Sequence, residues 1–207
     1  MDTYPDYSTL SRNENEGKDY CILFRETDST LAVIAIHGGG IEPGTVDIAD
    51  AVAGNDHNFY AFKGIKPTGN RVLHIASNRF DEPIGMAIAR NAEVVLTIHG
   101  CKEKEEAVFL GGKNQAMIER IRNRLNEAGF HAVISREPGL LGQSTKNICN
   151  RCRSGQGVQL ELSRGLREAF FLHLSQRSHR SKTPLFDLFV KTLRMAVSSS
   201  SRNPLVE

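Results

Sequence analysis

Two runs of apolar and β-branched residues, LAVIAI at 31–36 and EVVLTI at 93–98, both stop at His-Gly. Runs of this length between turn signals fit strands buried on both faces, which occur where helices cover both sides of a sheet. After the first run, HGGGIEPG leads into TVDIADAVA, whose apolar residues recur at helical spacing, so 45–53 reads as a helix behind a glycine loop. The spacing predicts further helices over 84–92, 113–128 and 184–197 and a weaker one over 164–174, with strands at 58–63, 72–76, 130–135 and 157–162. Strands alternating with helices define an α/β fold on an open, twisted, mixed parallel and antiparallel sheet flanked by helices.

All 207 residues fit one domain. Its first 20 residues are polar and read as a loop with a short helix near Tyr7 to Arg12, and 198–207 is expected to be a disordered Ser-rich tail. Residues 137–157, rich in Gly, Asn, Ser and Arg, are long for a plain connection, which points to function. The 26 basic and 24 acidic residues leave a net charge of +2, so no overall field draws the chain to nucleic acid or a membrane. No stretch reaches the roughly 18 apolar residues of a membrane helix, and the N-terminus lacks the features of a signal peptide. The expected chain is a cytoplasmic monomer with four free thiols. The CxxC at Cys149 and Cys152 lacks the second Cys pair that a structural zinc site needs.

Sites in open α/β sheets form beyond the carboxyl ends of strands, which is where His37 and His99 fall. A hydrolytic zinc ion takes three His or carboxylate ligands and leaves a fourth position to water. His37, Glu42 and His99 supply that set, with Gly38, Gly39 and Gly40 giving the loop freedom to fold Glu42 back beside His37. Each residue also has a plainer reading: a His capping a strand, or a Glu favoured by the positive end of the following helix. Glu161 alternates with Val158, Leu160 and Leu162 and so points opposite to them, toward a cleft or toward solvent.

The opening TYPDYSTL, the loop HGGGIEPGT, the strand end TIHG and the later GVQLELSRGLR resemble zinc-dependent poly-gamma-glutamate hydrolases of Bacillus phages and their bacterial relatives, from about Tyr4 through Phe171. The resemblance implies a zinc-carboxypeptidase-like architecture, one Zn2+ on His37, Glu42 and His99, and Glu161 as general base. It departs from the carboxypeptidases proper, which have a shorter gap between the first His and the Glu. It also implies an anionic poly-γ-glutamate substrate, whose carboxylates an Arg can grip through paired hydrogen bonds. Asn78 and Arg79 lie where carboxypeptidases hold a substrate carboxylate. Asn150, Arg151 and Arg153 form a second cationic cluster expected to line the cleft, with Arg164 nearby.

Two other readings stay open: a zinc deacylase or amidase on a small acylated amino acid, and a non-catalytic protein binding an anionic polymer or nucleic acid through its Arg clusters and RSHRSK at 177–182. An extracellular polymer and a chain without an export signal are reconciled if lysis releases a phage-derived enzyme.

Overall fold

The computed structural model describes residues 2–198. Seven strands form one sheet: β1 (Tyr20–Arg25), β2 (Leu31–Gly39), β3 (Asn58–Gly64), β4 (Val94–Gly100), β5 (Ala107–Gly112), β6 (His131–Ile134) and β7 (Val158–Leu162). Their spatial order is β1-β3-β2-β4-β7-β5-β6. β2, β3, β4 and β7 run parallel, while β1 and the parallel pair β5 and β6 run against them. The mixed sheet expected from the sequence is therefore present.

Among the described residues six helices flank it: α1 (Tyr7–Asn13), α2 (Thr45–Ala53), α3 (Pro83–Asn91), α4 (Gln115–Glu127), α5 (Arg164–Phe170) and α6 (Pro184–Ser198). Each sheet face carries its own core. Val33, Ala35, Leu96, Leu160 and Leu162 pack against α2, α4, α5 and α6, whereas Ala32, Ile34, Ile36, Tyr60 and Phe62 pack against α1 and α3. Ile48 and Val52 of α2 and Ile118 and Ile121 of α4 are completely buried, and each such side chain contributes about 1.5–3 kcal/mol of transfer free energy. This two-sided burial explains the unbroken apolar runs of β2 and β4. Among the described residues no helix is long and apolar enough to cross a membrane, and all four cysteines are free.

Several expectations need correcting. VLHIA at 72–76 is not a strand: Asn70–Leu73 is a 3-10 turn followed by extended chain. β3 is already paired on both edges, with β1 and β2, so no partner is left for it. Leu73 and Ile75 instead enter the core beside α1 and α3. β1 occupies the outer edge of β3, and neither β1 nor β5 was expected from the sequence. The helix over 164–174 ends at Phe170, where Phe171–Leu172 pairs with Ser181–Lys182 in a two-stranded ribbon. The tail expected at 198–207 lies outside the described residues except for Ser198, which closes α6.

Candidate active site

The chain passes from β2 to β3 on one side and then to β4 on the other, so the strand order reverses between β2 and β4. Loops leaving the carboxyl ends of such a pair diverge and open a crevice. His37 ends β2 and His99 ends β4, one on each side of it.

A local irregularity aims His37. Ala35 pairs with Ala61 and Gly38 with Lys63, so Ile36 and His37 together face one residue of β3. This bulge breaks the strand's alternation and turns the imidazole away from the core that takes Val33 and Ala35. His37 Nε2 lies 2.8 Å from the Ile75 carbonyl. A carbonyl only accepts, so Nε2 carries a proton and Nδ1 faces the crevice.

Nδ1 of His37 is 3.0 Å from Glu42 Oε1 and 3.1 Å from Nδ1 of His99. His99 Nδ1 lies 3.8 Å from Glu42 Oε2, which also accepts the Gly100 N–H at 2.8 Å. The donor atoms of all three residues fall within 4.8 Å of one another, and all three residues are buried. The glycine loop works differently from expectation: of Gly38, Gly39 and Gly40 only Gly39 has a positive φ, +67°, while a side chain at Gly38 would strike Val46.

Burial disfavours the charge on Glu42, but His37, then His99 and the Gly100 N–H, outweigh it and bring the carboxyl down to about 2. Burial also opposes charge on His37, which Glu42 nonetheless holds above its usual range. His99 is pushed down to about 3 by burial and by the charge on His37, so its ring is neutral. Two imidazoles and one carboxylate are a zinc-type donor set. Their 3.0 and 3.1 Å separations approach the about 3.3 Å between ligands about 2 Å from a tetrahedral centre. Nε2 of His99 is buried with no hydrogen-bond partner among the described residues, and the neutral ring keeps a lone pair on one of its two nitrogens for a metal. The residues fit a single zinc ion.

Glu161 arrives from β7, directly paired with His99 of β4. Val158, Leu160 and Leu162 enter the core, while Gln159 and Glu161 line a cavity of about 650 Å³ together with His37, Glu42 and His99. Burial, then the nearby Glu42 and Glu103, raise the Glu161 carboxyl well above the ordinary range. Asn147 donates to Gln159 at 2.8 Å and Gln159 donates to Glu161 Oε1 at 3.0 Å, an orienting chain that sequence reasoning missed.

His74 and Asp2 were missed as well. His74 stacks on His37 with ring centroids 4.0 Å apart. Its Nδ1 lies 2.7 Å from Asp2, which also accepts the Ala76 N–H and pairs with Arg79. A lone His in a misread strand and an acid at residue 2 gave no signal of meeting.

The expected cations scatter. Asn78 lines the main cavity, and with Arg79, Arg90 and Arg151 it also lines a neighbouring hollow of about 320 Å³. Arg164 lines an adjoining hollow of about 570 Å³ shared with Arg71, Lys102, Lys104 and Arg167, and bonds Glu168 at 2.6 Å. Two placements are corrections. Asn150 is buried and spends its amide on Gly142, Ser144 and Gly157, holding its loop together. Arg153 bonds Ala92 just ahead of β4 and lines a hollow at the other end of the sheet, because the chain has already doubled back to start β7.

Fold and site define a hydrolase-type α/β protein, and comparison gives the same class. A structure of bacteriophage poly-gamma-glutamate hydrolase superposes with a TM-score of 0.92 at 31% identity, covering 96% of this chain and 97% of that one. A zinc-free apo structure of YNDL superposes with a TM-score of 0.91 at 33% identity, covering 98% of this chain and all of the other. The model of the poly-gamma-glutamate hydrolase family matches residues 4–192, and the chain belongs to that family. UPF0714 protein YndL of Bacillus subtilis (strain 168) is 36% identical over 86% of this chain and 70% of its own. The SPbeta prophage-derived UPF0714 protein YoqZ of that strain is 32% identical over 82% of this chain and 62% of its own. An N-formylglutamate amidohydrolase from Ralstonia eutropha JMP134 shares the fold alone, at 11% identity and a TM-score of 0.51 over 86% of this chain and 95% of that one.

Proposed function

We propose that this chain hydrolyses γ-glutamyl amide bonds of poly-γ-glutamate, using zinc held by His37, Glu42 and His99 and Glu161 as general base. The observation that carries this reading is the convergence of His37, His99 and Glu42 beside the buried Glu161 carboxyl in one cavity. Zinc bound there supplies Lewis acidity and lowers the pKa of water toward ~7. A cation held beside Glu161 would favour its ionised form against the burial and the neighbouring carboxylates that raise it, and the carboxylate would then take a proton from the attacking water and return it to the leaving amine. Gln159 fixes the Glu161 carboxyl for that transfer, and the Ile75 carbonyl fixes the His37 tautomer.

The cavity and the hollow carrying Arg164 share Glu42, Arg71, Gly100, Cys101 and Lys102. Two adjoining hollows that meet at Glu42 suit a polymer better than a single small acyl amino acid. Arg71 and Lys102, in both compartments, with Arg164 in the second, would receive the α-carboxylates there, and Asn78, Arg79 and Arg151 of the neighbouring hollow would receive those further along.

Zinc added to chelator-stripped protein at a hundredfold excess over its Kd is expected to stabilise the fold by about 2.7 kcal/mol, a rise in Tm of about 5–10 °C. No thermal shift, no zinc by metal analysis and chelator-resistant hydrolysis would together overturn the metal assignment. Product analysis separates the substrates: oligomers released from long poly-γ-glutamate support the polymer, and release of a single acyl group from a small substrate supports the deacylase.

A further inference from the structure

The basic segment RSHRSK at 177–182 takes no part in the metal centre. The ribbon of β8 (Phe171–Leu172) and β9 (Ser181–Lys182) folds it back, pairing Lys182 with Phe171. Arg177, Arg180 and Lys182 meet Lys63 of β3 around a separate hollow of about 150 Å³. Asp47 is the one acid lining it among the described residues, and Arg180 occupies that acid at 2.8 Å. Arg180 also bonds the Leu174 carbonyl at 2.8 Å and lies over the Phe171 ring, so its role is structural.

The other three cations have no carboxylate partner among the described residues. Arg177 and Lys182 are exposed and Lys63 is half-buried. Arg177 gives one N–H to the Lys66 carbonyl at 3.0 Å, and the Lys182 ammonium lies 4.5 Å from the Phe186 ring centre. This surplus is local, because the whole chain carries only +2. The hollow is also near the metal ligands. Gly39, on its wall, is two residues from His37, at most about 7 Å of backbone.

We propose that Lys63, Arg177 and Lys182 form an exosite for carboxylates of the same poly-γ-glutamate chain, several residues along from the bond being cleaved. The inference rests on the proposed substrate. A polymer with one carboxylate per residue has many charges beyond those in the cleft, and a patch here holds the flanking stretch. A nucleic acid fits less well, since single strands are gripped by stacking on exposed aromatics and the Phe171 lining this hollow is buried beneath Arg180.

The test is the full-length triple variant K63Q/R177Q/K182Q against the unmodified protein, on long poly-γ-glutamate and on a γ-glutamyl trimer. The expected result is a KM for the long polymer about eightfold higher, a factor of about two per exposed ion pair. kcat and the trimer KM should be unchanged. An unchanged polymer KM, or an equal rise for the trimer, overturns the exosite while leaving the proposed reaction intact. Binding of fluorescein-labelled long polymer, followed by anisotropy in E161Q with and without the triple change, gives a readout independent of turnover. Weaker binding in the triple variant of a protein that cleaves no amide keeps the exosite and removes the reaction. Duplex DNA displacing the label more effectively than charge-matched polymer overturns the choice of occupant. If K63Q/R177Q/K182Q misfolds, the exposed single variant K182Q is read the same way, with a twofold rise expected and no rise overturning the proposal.

Discussion

Replacing Glu161 by Gln is expected to lower kcat on poly-γ-glutamate by about 10³- to 10⁴-fold, the upper range for loss of a positioned general base, while zinc content stays at one ion per chain. Gln keeps the shape and can still meet Gln159, but it cannot take a proton. The carboxyl is not one of the three converging donors, so the metal has no reason to leave. His99→Ala provides the contrast, because it removes a donor and should abolish zinc binding and turnover together. Residual activity of E161Q within tenfold of the original would remove Glu161 from the base role. Loss of zinc from E161Q would instead make it a fourth ligand.

The largest effect on stability is expected at Arg167, which is 4% exposed. Its guanidinium donates to three carbonyls, of Leu162 at 3.2 Å, Pro43 at 2.9 Å and Cys101 at 2.8 Å. Leu162 follows Glu161, Pro43 follows Glu42, and Cys101 lies two residues past His99. One side chain therefore ties together the backbone beside three of the four proposed site residues. Arg167→Met keeps the length and takes their side-chain donor from the Pro43 and Cys101 carbonyls, while the Leu162 carbonyl keeps the Cys101 N–H at 2.9 Å, at a cost of about 3–5 kcal/mol, or about 10 °C in Tm. Zinc affinity should fall about 10- to 100-fold, as when support behind a ligand is lost. Arg167→Lys should not restore either quantity, since one ammonium cannot span three carbonyls in a planar fork. A variant with unchanged Tm would show that the carbonyls find other partners.

How far these features were legible in the chain depends on how local their causes are. Strands β2 and β4 announced themselves because burial on both faces demands unbroken apolar runs, and their terminal His-Gly marked the crevice. The alternation of VQLEL separated Glu161 from the core in the same way. β1 was hidden because an edge strand is not fully covered: Leu23 is 38% and Phe24 52% exposed. VLHIA misled because its apolar spacing reports burial, and burial does not require a pairing partner. The contact of Asp2 with His74 spans 72 residues and leaves no periodic trace. Asn150, Arg151 and Arg153 looked alike in sequence, yet where the chain turns back toward β7 decides which of them approaches the cleft. In SRGLR the half-buried Arg164 drew attention, while the buried Arg167 three residues on holds the frame.

Strand β7 is made after β5 and β6 but inserts between β4 and β5, bonding to both. Until residues 158–162 emerge, the pair β5–β6 has no strand through which to join the rest of the sheet. The donor residues His37, Glu42 and His99 all precede that event in synthesis, whereas Glu161 rides on the joining strand itself. Such a long-range closure is slow relative to local pairing, and it makes the last step of sheet assembly and the arrival of the base one event. On the proposed reading, a chain stalled before β7 lacks both Glu161 and the Arg167 tie to Pro43 and Cys101, so it is expected to bind zinc weakly and to hydrolyse nothing.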